Sequence, residues 1–291
     1  MDTTTHRPEL TALVNLLDEP DEMAFSKIRE KLFYFGKDAL PLLEHARDDV
    51  FDSRVQERIA DIIHKIYLDE IIAEFSGWLN TGSSDLLKGF ALISRTENPL
   101  LEEDAIIREI EQLRMDAWLE LNENLTALEH VKVLNHILFH VHNFDGNKIY
   151  PMAPENYYLP ALLSSRKGSS LSLGMLYLIV AQKLNVPVVG VNLPQHFILA
   201  YLSEPDIEQP GVDDVQFYIN PMNKGSVFTR REIELFINQL KIPADISYFT
   251  PCSNIDIINR LIEELIIIND QQDKQTKIDD LEYLKKLIES L

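Results

Sequence analysis

Early in the chain the apolar positions repeat with a helical period. Met23, Phe25, Ile28, Leu32 and Phe33 fall on one face, Gly36 closes the run, and residues 39–43 open a second amphipathic stretch, so a pair of antiparallel helices is predicted. After Asp52-Ser53, a helix start, Val55, Ile59, Ile62, Ile63 and Ile66 renew the pattern and residues 68–79 continue it. The turn-rich Asn80-Thr81-Gly82-Ser83-Ser84 is a boundary, beyond which residues 86–93, 102–121 and 127–141 read as three more helices. Ile106, Ile107, Ile110, Leu113, Ala117 and Leu121 align along one side of the second of these. Phe144-Asp145-Gly146-Asn147 breaks the third, and Pro151, Pro154 and Pro160 make the following stretch a structured loop.

The period then changes. From Ser170 to Leu184 almost every position is apolar, which predicts a helix buried on all sides at the centre of a domain. Residues 186–191, 197–202 and 215–219 are β-rich runs, read as a small antiparallel sheet packed on that helix. Thr229 and Glu232 form a capping-box pair at the head of a helix reaching Leu240. From Ile255 the chain is helical again, interrupted by a polar turn at residues 270–275.

Composition narrows the function classes. The 291 residues hold 27 Lys and Arg against 47 Asp and Glu, a formal net charge of −20, which repels phosphate backbones and anionic lipid and so argues against nucleic-acid or membrane partners. A single cysteine, Cys252, forms no internal disulfide, the start of the chain lacks the apolar stretch of a signal peptide, and no run reaches the roughly 18 apolar residues of a membrane span. The cytoplasm is the expected compartment. With no Gly-rich phosphate loop, no cofactor is expected. His136 and His140 stand at the spacing of two helical metal ligands, but neither a following Glu nor a nearby cysteine completes a site, so no metal is expected.

The chemistry-bearing residues lie between Arg166 and Gly225. Ser169, Ser170 and Ser172 open the buried helix, His196 begins a strand, and Asn220 ends another. A nucleophile at the N-terminus of a buried helix gains from the dipole and free N–H groups there, a His on the adjacent strand takes its proton, and a third residue orients that His. Here hydroxyls stand where a thiol site has sulfur. Helix capping is the alternative use of these serines, and Asn220 before Pro221 has the alternative use of starting a turn.

The clusters Leu134-Asn135-His136, Phe144-Asp145-Gly146-Asn147, Asn156-Tyr157-Tyr158, Arg166-Lys167-Gly168, Ser172-Leu173, Pro194-Gln195-His196-Phe197 and Asn220-Pro221-Met222-Asn223-Lys224-Gly225 together resemble the SirB1 family of transglutaminase-like proteins over roughly residues 85–240. The resemblance implies an α+β, predominantly helical protein with a transglutaminase-like, papain-related core. With the helical pattern and the turn at residues 80–84, the chain divides into a helical HEAT-like region at 1–82, the transglutaminase-like domain at 83–250 and a C-terminal, tetratricopeptide-like helical hairpin at 251–291, with plain bundle packing as the alternative for both helical parts. Counting back from Asn185-Val186-Pro187 puts the nucleophile position near Ser170, whereas alignment to the family pattern puts it at Ser172. Gln195 replaces the family's glycine before the His, and Asn220 replaces its usual Asp. The family places Asn156 beside the same pocket; Asn156 and Gln195 are the candidate substrate-binding residues.

These residues give two functional readings, beside a purely structural one of a helical scaffold with a relic core and no functional cleft. In the first, the protein has lost thiol chemistry and keeps a cleft around Ser170, Ser172, His196 and Asn220 that binds a protein or peptide partner. In the second, it is a serine-based amide hydrolase or acyl transferase using Ser170 or Ser172, His196 and Asn220.

Overall fold

The computed structural model describes residues 3–205, 207 and 209–291, with side chains from residue 8 onward; Met1 and Asp2, part of the start read as lacking a signal peptide, lie outside the described residues. The chain divides into two compact units, Met1–Glu74 and Phe75–Leu291.

The first unit holds α1 (Thr3–Val14), α2 (Glu22–Phe35), α3 (Leu40–Asp49) and most of α4 (Ser53–Asn80). Helix α1 is absent from the expected elements; Pro8 sits inside it and masks the helical signal. Helix α2 starts on Asp21, whose carboxylate accepts the Met23 N–H at 2.8 Å, and ends on Gly36 at φ 53°, a left-handed conformation that favours glycine. Leu10, Leu17, Phe25, Leu32, Leu43, Ile59 and Ile62 form its core. The Arg58 guanidinium lies 3.9 Å from the Phe25 ring centroid and donates to the Glu19 carbonyl at 2.7 Å.

The second unit begins with α5 (Leu86–Arg95), α6 (Glu103–Glu120) and α7 (Ala127–Asn135), which runs on as a π-helical turn through His136–Val141. Strand β1 (Asp145–Gly146) pairs in parallel with β2 (Lys167–Gly168) across the short helix α8 (Leu159–Ser165). Helix α9 (Ser170–Lys183) follows, and every residue from 171 to 181 is buried, as its unbroken apolar run predicts. Strands β3 (Val188–Leu193), β4 (His196–Leu202), β5 (Val215–Asn220) and β6 (Ser226–Phe228), then α10 (Arg230–Leu240), β7 (Pro251–Cys252), α11 (Asn254–Asp270) and α12 (Gln275–Glu289) complete the unit. The sheet is antiparallel throughout, in the order β6-β5-β4-β3-β7. The three expected strands are its centre. The edges β6 and β7 went unread, because three and two residues are too few to display an alternating pattern.

Strand β4 is buried at every position but its first, His196. Its alternate side chains face two layers: Phe197 and Leu199 turn toward α9, while Ile198 and Ala200 join Ile233 and Ile237 of α10 in a separate cluster. A strand covered on both faces loses its polar positions, which is why β4 reads as one continuous apolar run. The Phe197 ring is the closest fit. A Cβ on Gly174 of α9 would stand 2.5 Å from it, and one on Gly190 of β3 would stand 2.6 Å from it.

Gly174→Ala therefore forces this ring out of its slot, and should destabilise the protein by about 2–3 kcal/mol in urea unfolding. Gly77→Ala, on α4 with nothing within 4 Å of the new methyl, should stabilise it by roughly 0.5–1 kcal/mol through helix propensity alone.

Candidate functional site

The first turn of α9 is built by reciprocal capping. Ser169 is the N-cap: its hydroxyl accepts the Ser172 N–H at 3.1 Å, and the Ser172 hydroxyl accepts the Ser169 N–H at 3.0 Å. Ser172 also donates to the Asn156 carbonyl at 2.5 Å and is completely buried. Its hydroxyl is committed to the helix start and the preceding loop, with no face open to a substrate. Of the two sequence-derived nucleophile positions, this geometry speaks against Ser172.

Ser170 is placed differently. It is half-buried at the first helical position, and its Oγ accepts the Phe197 N–H at 3.2 Å, so the hydroxyl stands beside the start of β4. That bond ties α9 to the strand that carries His196. The imidazole itself is turned aside: it reaches solvent and lies against Phe236 of α10, ring centroids 5.2 Å apart. The protein packed around it, and then the Arg260 guanidinium, hold His196 below the usual imidazole pKa and favour the neutral ring. Among the described residues, no hydrogen bond joins His196 to Ser170, to Ser172 or to Asn220.

Asn220 serves its own turn. Its Oδ1 accepts the Met222 N–H at 3.0 Å and its carbonyl accepts the Gly225 N–H at 2.9 Å, closing the loop after β5. Gly225 is at φ 71°, and its carbonyl accepts from Asn135 Nδ2 at 2.8 Å; a Cβ there would lie 1.8 Å from Asn135 Oδ1. Two motif clusters that lie far apart in sequence thus meet at one turn. Met222 in turn covers Gly146, where a Cβ would meet its methyl at 2.4 Å.

Asn156, expected to line a pocket, is instead the hub of the loop before α9. It is 2% exposed. Its Nδ2 donates to the carbonyls of Tyr150 and Pro151 at 2.6 and 3.1 Å, its Oδ1 accepts from Asn147 at 2.9 Å, and its own carbonyl takes the Ser169 N–H at 3.1 Å besides the Ser172 hydroxyl. A side chain whose amide protons and oxygen are all engaged holds the loop and leaves nothing for a ligand. Gln195, the other expected ligand contact, is exposed at the tip of the β3–β4 turn, with Leu193 and His196 paired across it. Its φ is 63°, the left-handed conformation that glycine adopts freely, and Pro194 precedes it as in a type II turn.

Two contributors were not read from the sequence. Phe236 is one more apolar residue of an amphipathic helix, and Arg260 sits on a distant helix. Arg260 donates to Asn192 Oδ1 at 3.3 Å and to the Leu193 carbonyl at 3.2 Å, pinning α11 to the end of β3 near the His196 turn. Only the sheet brings these groups together, so no local signal existed. His136 and His140 stack with ring centroids 6.2 Å apart, and among the described residues no group of three or more His, Cys, Asp or Glu is placed to hold a metal ion. No helix is long and apolar enough to cross a membrane among the described residues.

The profile of the transglutaminase-like superfamily matches residues 104–263, more than half of the chain. A UPF0162 protein of Pseudomonas aeruginosa is 26% identical over 161 residues, 55% of each chain, and the UPF0162 protein YchA of Escherichia coli is 26% identical over 160 residues, 54% of this chain and 56% of that protein. The F-box only protein 21 of Mus musculus is 33% identical over 106 residues, 36% of this chain but 17% of its own length. The chain thus spans about half the length of these UPF0162 relatives and far less of the F-box protein. No solved structure matches.

Gln195→Gly restores the residue that the turn geometry favours, and should raise stability by about 1 kcal/mol in urea unfolding, whereas Gln195→Ala should not.

Proposed function

Because the chain belongs to the transglutaminase-like superfamily, we propose that it is a SirB1-type member that has kept the scaffold, given up thiol chemistry, and works by holding a protein or peptide partner over Ser170, His196 and Asn220. The observation that carries this reading is the pairing of Ser170 Oγ with the Phe197 N–H while the imidazole next to it contacts neither that hydroxyl nor Asn220. A serine hydroxyl stays protonated near neutrality and attacks only when a base is in hydrogen-bond reach. Here the base faces Phe236, and the orienting residue is spent on the Met222 N–H. Sulfur elsewhere offers no substitute: burial, with Asp256 nearby, pushes the Cys252 thiol up to about 12. A cytoplasmic setting suits a chain with a single unreactive thiol.

The competing reading, a serine-based amide hydrolase or acyl transferase, draws on the position of Ser170 in the first turn of α9 beside β4. A fluorophosphonate probe separates the two. The expected result is no labelling; modification of Ser170 that disappears in His196→Ala would establish the enzyme and end the non-catalytic reading.

The ancestry of the position has its own test. Ser170→Cys places a thiol at a helix N-terminus, and its alkylation by iodoacetamide should follow a pKa at least about one unit below the ordinary value of roughly 8.5, in the Ser170→Cys/His196→Ala double variant as well, because the imidazole faces Phe236. Ser172→Cys should stay unreactive in the folded protein. An ordinary profile at position 170 would remove Ser170 from the nucleophile position.

A further inference from the structure

We propose that the first helical unit is itself a docking module, which takes up a basic amphipathic segment of a partner protein in a groove between α1, α3 and the head of α4. The groove encloses about 590 Å³. Its walls carry Val14, Leu42, Ala46 and Val50, partly buried apolar side chains packed on the unit's core at Leu17, Val55 and Ile59. Phe51 stands at the mouth with its whole side chain in solvent. The ring extends the apolar lining of the groove to its mouth.

The rim decides which partner. Asp18, Asp49 and Asp52 edge the groove, and neither Lys nor Arg lines it. His45 also lines it, its Nδ1 3.4 Å from Asp49, and of the nearby arginines Arg47 faces Asp48 at 3.7 Å and Arg58 faces Glu22. The start of α4 makes no call for an anion either, because the Asp52 carboxylate accepts the Arg54 and Val55 N–H groups at 2.9 and 3.4 Å. An apolar lining within an acidic rim is complementary to a helix or turn that presents leucine-sized side chains flanked by Lys or Arg. The charge of −20 on the chain draws such a segment in and repels a second copy of the protein, which makes a foreign basic segment the occupant. The proposal is independent of the Ser170 site: either can fail while the other stands.

The test uses the full chain carrying Phe51→Trp as a reporter at the mouth, titrated with a peptide of about 18 residues that alternates leucine and lysine at helical spacing, and with its leucine–glutamate counterpart. The lysine peptide should bind and change the reporter's fluorescence, and the glutamate peptide should do neither. Asp18→Lys/Asp49→Lys, two exposed positions, should weaken binding by about tenfold or more with an unchanged circular dichroism spectrum. Asn15→Trp, which fills the groove without altering charge, should weaken it as well. Absence of lysine-peptide binding, or binding that survives both substitutions, would overturn the proposal, the second outcome meaning a diffuse attraction to an acidic surface. Self-association of the unmodified chain in sedimentation, lost on Asp18→Lys/Asp49→Lys, would overturn it in favour of a second copy.

Discussion

The Phe197 ring holds the second unit together at its centre. It is fully buried in a slot that exists because Gly174 on α9 and Gly190 on β3 carry no side chain, and its backbone N–H binds Ser170 Oγ. Burial of such a ring contributes about 2–3 kcal/mol, but its positional effect is larger than its energy. It fixes three elements at one point, and the residue before it, His196, has its backbone placed by that point whether or not its imidazole has chemistry to perform. The site region inherits its geometry from packing.

The motif clusters take on a common meaning in this light. Asn135 meets Gly225, Gly146 meets Met222, Asn156 meets Ser169 and Ser172, and Ser170 meets Phe197. These are loop-to-loop and loop-to-helix fastenings around one helix start. Buried amide groups satisfied in this way are costly to break and specify one arrangement. Asn156, Ser172 and Asn220 belong to the fastening, and Asn220, like Ser170, is only half-buried, whereas Gln195 and His196 are exposed.

Much of the fold was legible because burial leaves a period in the chain. The all-apolar run of α9 and the three inner strands announced themselves, as did the capping acid at the head of α10, where the Glu232 carboxylate accepts the Thr229 N–H at 2.7 Å. Elements that lack a period were missed: α1 with its internal proline, and the edge strands β6 and β7. At the site, the sequence named Ser170, Ser172, His196 and Asn220 together but could not apportion their duties. Whether a serine caps or points outward depends on where the helix starts, and Ser170 and Ser172 stand two positions, about 200°, apart around it. The rotation of His196 toward Phe236 is set by a helix some forty residues downstream, on which local pattern has no bearing.

The two unforeseen strands have a colloidal consequence. A sheet that ended on long, flat strands would offer rows of free backbone donors and acceptors to other molecules. This one ends on three residues at β6 and two at β7, and the first is bracketed by Lys224 on one side and by Arg230 and Arg231 on the other. Such short margins, fenced by cations, give a neighbouring chain almost nothing to zip onto, so the sheet discourages fibril-like growth at its own borders.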